Sequence, residues 1–187
     1  MTSRLIVNSI RHTGASADAI TLDNSGNATF PANVTCSGTA SGFGGGKLLQ
    51  QVHVSYATQT SVSSTSYTDS GLTASITPSS SSSKILVMIS QSWRMNRSAA
   101  DMAGAIKIVR EQSGTETDVS NTNSDLLWYV LSGTTAIYVH GVFTQIVEDS
   151  PNTTSAVNYK TKQRVYSNGT ITTQRSTSYI TLQEIGA

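Results

Sequence analysis

Cysteine is almost missing from this chain of 187 residues: Cys36 stands alone. No disulfide can form within the chain, so its stability has to come from packing or from assembly. Cys36 continues the apolar parity of its segment and reads as a small buried hydrophobe, with an interchain bridge as the alternative. Proline is scarce, at three residues, which argues against a proline-rich stalk. Charge is sparse too: 12% of residues are charged and the formal net charge is +1. That leaves no electrostatic footprint for nucleic acid and no polybasic run for a membrane surface, so neither is expected as a partner. Leu5-Ile6-Val7 is far too short for a signal-peptide apolar region or a membrane span, and no targeting segment is expected.

What is abundant is serine and threonine, 30 and 26 residues. Threonine suits strands and serine suits turns, so the composition predicts an all-β extracellular or virion protein. The stretch "ITLDNSGNATFPANVTCSGTASGFGGG", residues 20–46, shows the pattern in miniature. Ile20, Leu22, Ala28, Phe30, Ala32 and Val34 fall on one parity, as in a strand with one buried face. Asp23-Asn24-Ser25-Gly26-Asn27 between the halves reads as a hairpin turn or corner. Pro31 marks the second half as an edge strand or a kinked extended segment. An isolated hairpin is marginal in water, no helix follows to cover it, and the Gly/Ser run after Cys36 resembles a flexible hinge. The apolar face therefore needs a partner. Another copy of the same segment would serve, making the chain an intertwined homo-oligomer; the alternative is a leader that never orders.

Beyond Gly46 short strands recur with turn signals between them. Leu48, Val52, Val54 and Tyr56 alternate with polar residues; Leu72, Ala74 and Ile76 share a face. "SSSSSK" is expected to be solvated. "KILVMISQSW" is apolar on both faces at first, as in a central strand of a two-layer sandwich. Ile106 and Ile108 are expected to point inward, and "NRSAADMAGAI" to form a loop or a single turn. "TAIYVHGVFTQIVEDSP" is the longest strand candidate, and Val157, Tyr159 and Val165 oppose Lys160, Lys162 and Arg164. Eight or nine strands at this spacing predict a β-sandwich, jelly-roll-like, over residues 47–187, preceded by an N-terminal segment over 1–46.

In sequence, "ITLDNSGNATFPANVTCSGTASG" resembles a recurring leader in tail-fibre and fibre-like proteins of tailed bacteriophages, marine and cyanobacterial ones especially. "TSYTDSGLTASITPSSSSSKILVMIS", "EDSPNTTSAVNYK" and the terminal "ITLQEIGA" are similar to the domain that follows such leaders. The resemblance implies a homotrimeric virion fibre, located on the tail or the capsid surface. Its N-terminal part would attach to other phage structural proteins and its knob would face the host. The chain lacks the extended repetitive shaft of long tail fibres, so a capsid decoration or head fibre is the alternative, with a free lectin-like trimer behind it. In a trimer, Ile20, Leu22, Phe30 and Val34 of three leaders would pack around one axis, each worth roughly 1.5–3 kcal/mol if buried.

Catalytic motifs are thin. His53 sits on the polar parity of its strand; His140 lies mid-strand and is expected to be packed or at an interface. "GTASG" has the wrong spacing for a nucleophile elbow, and "GFGGG" lacks the Lys and Ser/Thr of a phosphate loop. No His/Cys/Asp cluster has metal-ligand spacing. Glu148-Asp149 are adjacent and so point to opposite faces of a strand, which reads as a solvated turn rather than a glycosidase pair. No enzyme, cofactor or metal is expected. For host-surface contact, glycan in the first place, the candidates are Trp93, Arg94 and Arg97 at a strand end, and the ridge of Lys160, Lys162 and Arg164. Trp128 and Tyr129 are expected on opposite faces of one strand.

Overall fold

The structure, a computed structural model, describes residues 7–31, 47–97, 101–120, the backbone of 128–130, and 136–186. The chain divides into two compact units, Met1–Phe43 and Gly44–Ala187. Among the described residues every regular element is a strand and every pairing is antiparallel.

In the first unit β1 (Ser9–Ile10), β2 (Ile20–Leu22) and β3 (Ala28–Thr29) form a three-stranded sheet. Asp23 builds the β2–β3 turn. Its carboxylate accepts hydrogen bonds from the backbone N–H of Ser25 at 2.9 Å, the backbone N–H of Asn27 at 2.8 Å and the Asn27 side-chain amide at 2.8 Å. The side-chain bond from Asn27, with those from nearby backbone N–H groups, holds the Asp23 carboxyl below the usual carboxylate range. Gly26 takes the left-handed position, φ 83°, that an ordinary side chain disfavours.

The second unit holds β4 (Leu48–Tyr56), β5 (Thr60–Val62), β6 (Thr68–Ile76), β7 (Lys84–Arg97), β8 (Met102–Gln112), β9 (Thr115–Asp118), β10 (Trp128–Val130), β11 (Ile137–Asp149), β12 (Val157–Val165), β13 (Thr170–Thr173) and β14 (Ser178–Ile185). The two strands that the apolar pattern does not predict, β5 and β9, are short and polar. They form because β13 and β8 offer them an edge. The segment expected as a loop or turn becomes strand from Met102 onward, and β7, not β11, is the longest strand, at 14 residues against 13.

One sheet runs β4-β14-β7-β13-β5, with β11 on the other edge of β7; the second runs β10-β8-β12-β6, with β9 also on β8. β6, β12 and β14 bury alternate residues, whereas β8 is buried on both faces from Met102 to Ile106. On β7 the inward row is Ile85, Val87, Ile89, Gln91, Trp93, Met95 and Arg97. It shares its interior with Leu72, Ala74 and Ile76 of β6, Ile106 and Ile108 of β8, and Val157, Tyr159 and Val165 of β12, so the two sheets enclose a common core as in a β-sandwich. The core falls into two apolar clusters. Between them Gln91 donates to Ser70 (2.9 Å), Ser70 bonds Thr161, and Gln163 donates to the Thr60 carbonyl (3.1 Å). The β6–β12 register shifts beside Gly71, φ 92°, while Ser70 and Leu72, two residues apart, both stay buried.

The serine-rich segment before β7 is solvated only in part. Ser83 is buried, and Ser79 is held by Glu184, a buried carboxylate near the end of β14 with no ion-pair partner among the described residues. Glu184 accepts from the Ser79 backbone N–H (2.7 Å), the Ser79 hydroxyl (2.6 Å) and the Gln50 amide (2.6 Å). Burial alone would push its pKa up, but these hydrogen bonds outweigh burial and hold it at about 2, below the ordinary 4.5. A depressed carboxylate stabilises the folded state above its unfolded pKa and loses that contribution as the group protonates in the fold. Thermal stability should therefore fall as pH drops from about 4.5 towards 2. In Glu184→Gln that fall should be shallower, with a lower melting temperature already at neutral pH; both are readable by circular dichroism across a pH series.

Candidate interaction surface

In the first unit the apolar parity leads to an open face. Ile20 is half-buried, while Ile10, Leu22 and Phe30 are 48%, 40% and 46% exposed. The three-stranded sheet has too few residues to supply a second layer of its own. Val34 and Cys36 lie outside the described residues, so their expected parity is not seen.

The strand-end candidates separate by parity. Trp93 and Arg97 point inward and are 5% and 3% exposed. Their row on β7 is the core row, so both side chains lie largely inside rather than on the outer face. Trp93 packs with Met95, Met102, Ile106, Val165 and Ile171. Arg94 takes the opposite side, and its guanidinium lies 5.1 Å from the centre of the Tyr138 ring. The side chains of Trp128 and Tyr129 lie outside the described residues.

Lys160, Lys162 and Arg164 do share the outward face of β12, but they are not a free basic ridge. Strands β6, β8 and β9 bring acids against them. Lys160 meets Glu111 (2.9 Å), Glu116 (2.8 Å) and Asp69 (3.4 Å), and Lys162 meets Glu116 (2.6 Å) and Asp69 (3.6 Å). Hydrogen bonds from Lys160 and Lys162 hold the Glu116 carboxyl at about 2, while Glu116 and Glu111 raise the pKa of Lys160. Lys107 pairs Asp118 at 3.1 Å. Lys107 and Arg164 both lie over the Tyr67 ring, at 4.5 and 4.6 Å, and Arg164 also lies over Tyr166. Alternation places the cations on one face; only the strand pairing reveals the acids beside them.

Glu148 and Asp149 do point to opposite sides, but they end a strand rather than form a solvated turn. Glu148 pairs Lys84 at 2.6 Å on the outside. Asp149 turns inward, accepting from Arg110 Nη1 (2.8 Å) and from the Tyr159 hydroxyl (2.7 Å). Burial, then the bond to Asp149, raises the pKa of that buried phenol. Among the described residues no three of His, Cys, Asp and Glu converge as a metal ion would require.

The outward face of the six-stranded sheet is different in character. Charge is sparse there, and Tyr138, Val142, Ile146 and Tyr179 are 57%, 61%, 58% and 42% exposed. His53 stacks on Tyr179, ring centres 5.6 Å apart. His140, expected to be packed or at an interface, is exposed on β11. Beside it a depression of about 380 Å³ opens between β11 and the loop joining β13 to β14, lined by Ser92, Trp93, His140, Gly141, Val142, Arg175 and Ser176. Arg175 is the residue sequence reasoning missed: it sits in a short loop with no apolar pattern to place it.

No protein-family model matches this chain, and no curated protein matches it significantly.

The paired lysines predict a mild phenotype. Exposed ion pairs contribute about 0–1 kcal/mol each, so Lys160→Gln with Lys162→Gln should lower stability by about 1–2 kcal/mol in urea unfolding. The loss should shrink further at high salt.

Proposed function

We propose that the chain is a structural component of a tailed-phage particle. It is a homotrimeric fibre whose residues 1–46 attach and trimerise as a short stalk, and whose residues 47–187 form a head for host-surface adhesion. The observation that carries this reading is the open apolar face of the first unit. A sheet of β1–β3 leaves Leu22 and Phe30 exposed, and three copies around one axis would give each the cover it lacks. Val34 continues the same parity in the sequence.

The head supports the reading in a second way. With β4, β6, β7, β8, β10, β11, β12 and β14 numbered one to eight, its sheets read 1-8-3-6 and 2-7-4-5. This is the order of a double Greek-key jelly roll, an architecture recurrent in viral capsid and lectin domains. Three weak sites on one rigid assembly gain avidity without new contacts. Near-neutral charge suits a polar surface glycan better than a polyanion such as nucleic acid.

Light scattering after size exclusion tests the assembly. The full chain should have three times the 19.8 kDa mass of one copy, and Phe30→Asp should shift it towards monomer while leaving the head folded. A clean monomer of the unmodified chain at micromolar concentration would contradict the fibre reading.

A further inference from the structure

We infer that the depression beside β11 binds the carboxylate of an acidic sugar, held between Arg175 on one wall and His140 on the other, with Arg94 adjacent. This inference rests on the adhesion reading above and names the ligand class for it.

The pairing of charges in the head leads there. Asp69, Glu111, Glu116, Asp118, Glu148 and Asp149 are each engaged by a lysine or arginine. None of those ion pairs involves Arg94 or Arg175. The one side-chain hydrogen bond of Arg175 among the described residues goes to a neutral partner: Nη1 donates to the Gln59 side-chain oxygen at 2.8 Å. Arg94 lies against Tyr138, and its buried Nε has no hydrogen-bond partner among the described residues.

Register brings these groups to one place. On the paired strands β7 and β11, His140 stands opposite Arg94 and Val142 opposite Ser92. Residues directly opposite in an antiparallel pair hold their Cβ atoms about 4.5–5.5 Å apart. Thr173 of β13 pairs Trp93, so the chain runs on through Arg175 and Ser176 past Ser92. That loop is fixed: Ser92 Oγ donates to the Ser176 carbonyl (2.9 Å) and accepts from the Ser176 N–H (2.8 Å). Two arginines and a histidine thus gather on one face, where Glu148 of the same strand row is already paired with Lys84. A bound anion would supply the missing counter-charge, and a guanidinium offers a carboxylate two parallel N–H donors.

The size and setting select a sugar acid. A depression of about 380 Å³ admits one ring-sized group. An extended polyanion would need a continued basic path, and the lysines of the opposite sheet are neutralised by their own acids. Val142 and the exposed Tyr138 ring offer apolar surface for the carbon face of a sugar, while Ser176 and His140 offer polar groups for its hydroxyls.

The test titrates the full chain with D-glucuronate, D-glucose and acetate, following protein amide shifts by NMR. Glucuronate should perturb the amides around Arg175 and His140, with glucose and acetate each about tenfold weaker or more. Arg175→Ala should weaken glucuronate about tenfold. Val142→Trp, which fills the depression from an exposed position, should do the same without touching the Gln59 bond. Absence of glucuronate binding, or equal binding in both variants, overturns the proposal; acetate binding as tightly as glucuronate overturns its sugar part. Adhesion to bacterial cells separates the two readings. Variants that lose glucuronate but still adhere remove this site from adhesion and leave the fibre reading standing. Glucuronate binding lost in both variants, by a chain that adheres to no cell, leaves the site standing and removes the adhesion reading.

Discussion

The inward row of β7 is the surface on which the head is built. Ile85, Val87 and Ile89 feed one apolar cluster, and Trp93 and Met95 feed the other. β7 also carries β14 and β13 on one edge and β11 along the whole of the other. A strand with one apolar side must lay that side against something, and the second sheet meets the requirement with the inward residues of β6, β8 and β12. Gln91 interrupts the row, and its bond to Ser70 fixes the second sheet in register where an unpaired amide would be costly to bury. Once those faces are joined, the outward sides are set by parity. One becomes a lattice of lysines and carboxylates that keeps that sheet in water. The other becomes a sparsely charged face with exposed tyrosine, valine and isoleucine.

The same constraint works in the opposite sense on the leader. Its three short strands have an ordered turn, fastened by Asp23, and form one layer among the described residues. Local hydrogen bonding can set the shape of such a sheet without supplying a core. The proposed function follows from this contrast: one unit with an interior of its own, and one whose described apolar side chains Ile10, Leu22 and Phe30 stand exposed.

Much of the fold was legible because strand parity is a local property. β12 alternates Val157, Tyr159 and Val165 against Lys160, Lys162 and Arg164, and the structure keeps both rows as the pattern reads. Parity was also available for Trp93 and Arg97, two and six positions from buried Gln91. Their residue types, common at binding surfaces, obscured it. What could not be read was anything that depends on which strands are neighbours. Asp69, Glu111 and Glu116 are distant in sequence from Lys160, and only the β6-β12-β8-β9 pairing makes the ridge neutral. Glu184 gave no hint of anchoring the serine-rich segment, nor Arg175 of lining a depression, because each acts across long sequence separations. β5 and β9 have no apolar rhythm and exist through the edges they join.

Amide hydrogen exchange of the full chain over a dilution series tests the central contrast most directly. Amides of β6, β7, β8, β12 and β14 should be protected to the same degree at every concentration, since the head carries its own core. Those of β2 and β3 should be protected only at concentrations where chains associate. Leader protection that persists unchanged in the dilute monomer would contradict the account, because the first unit would then be stable without a partner.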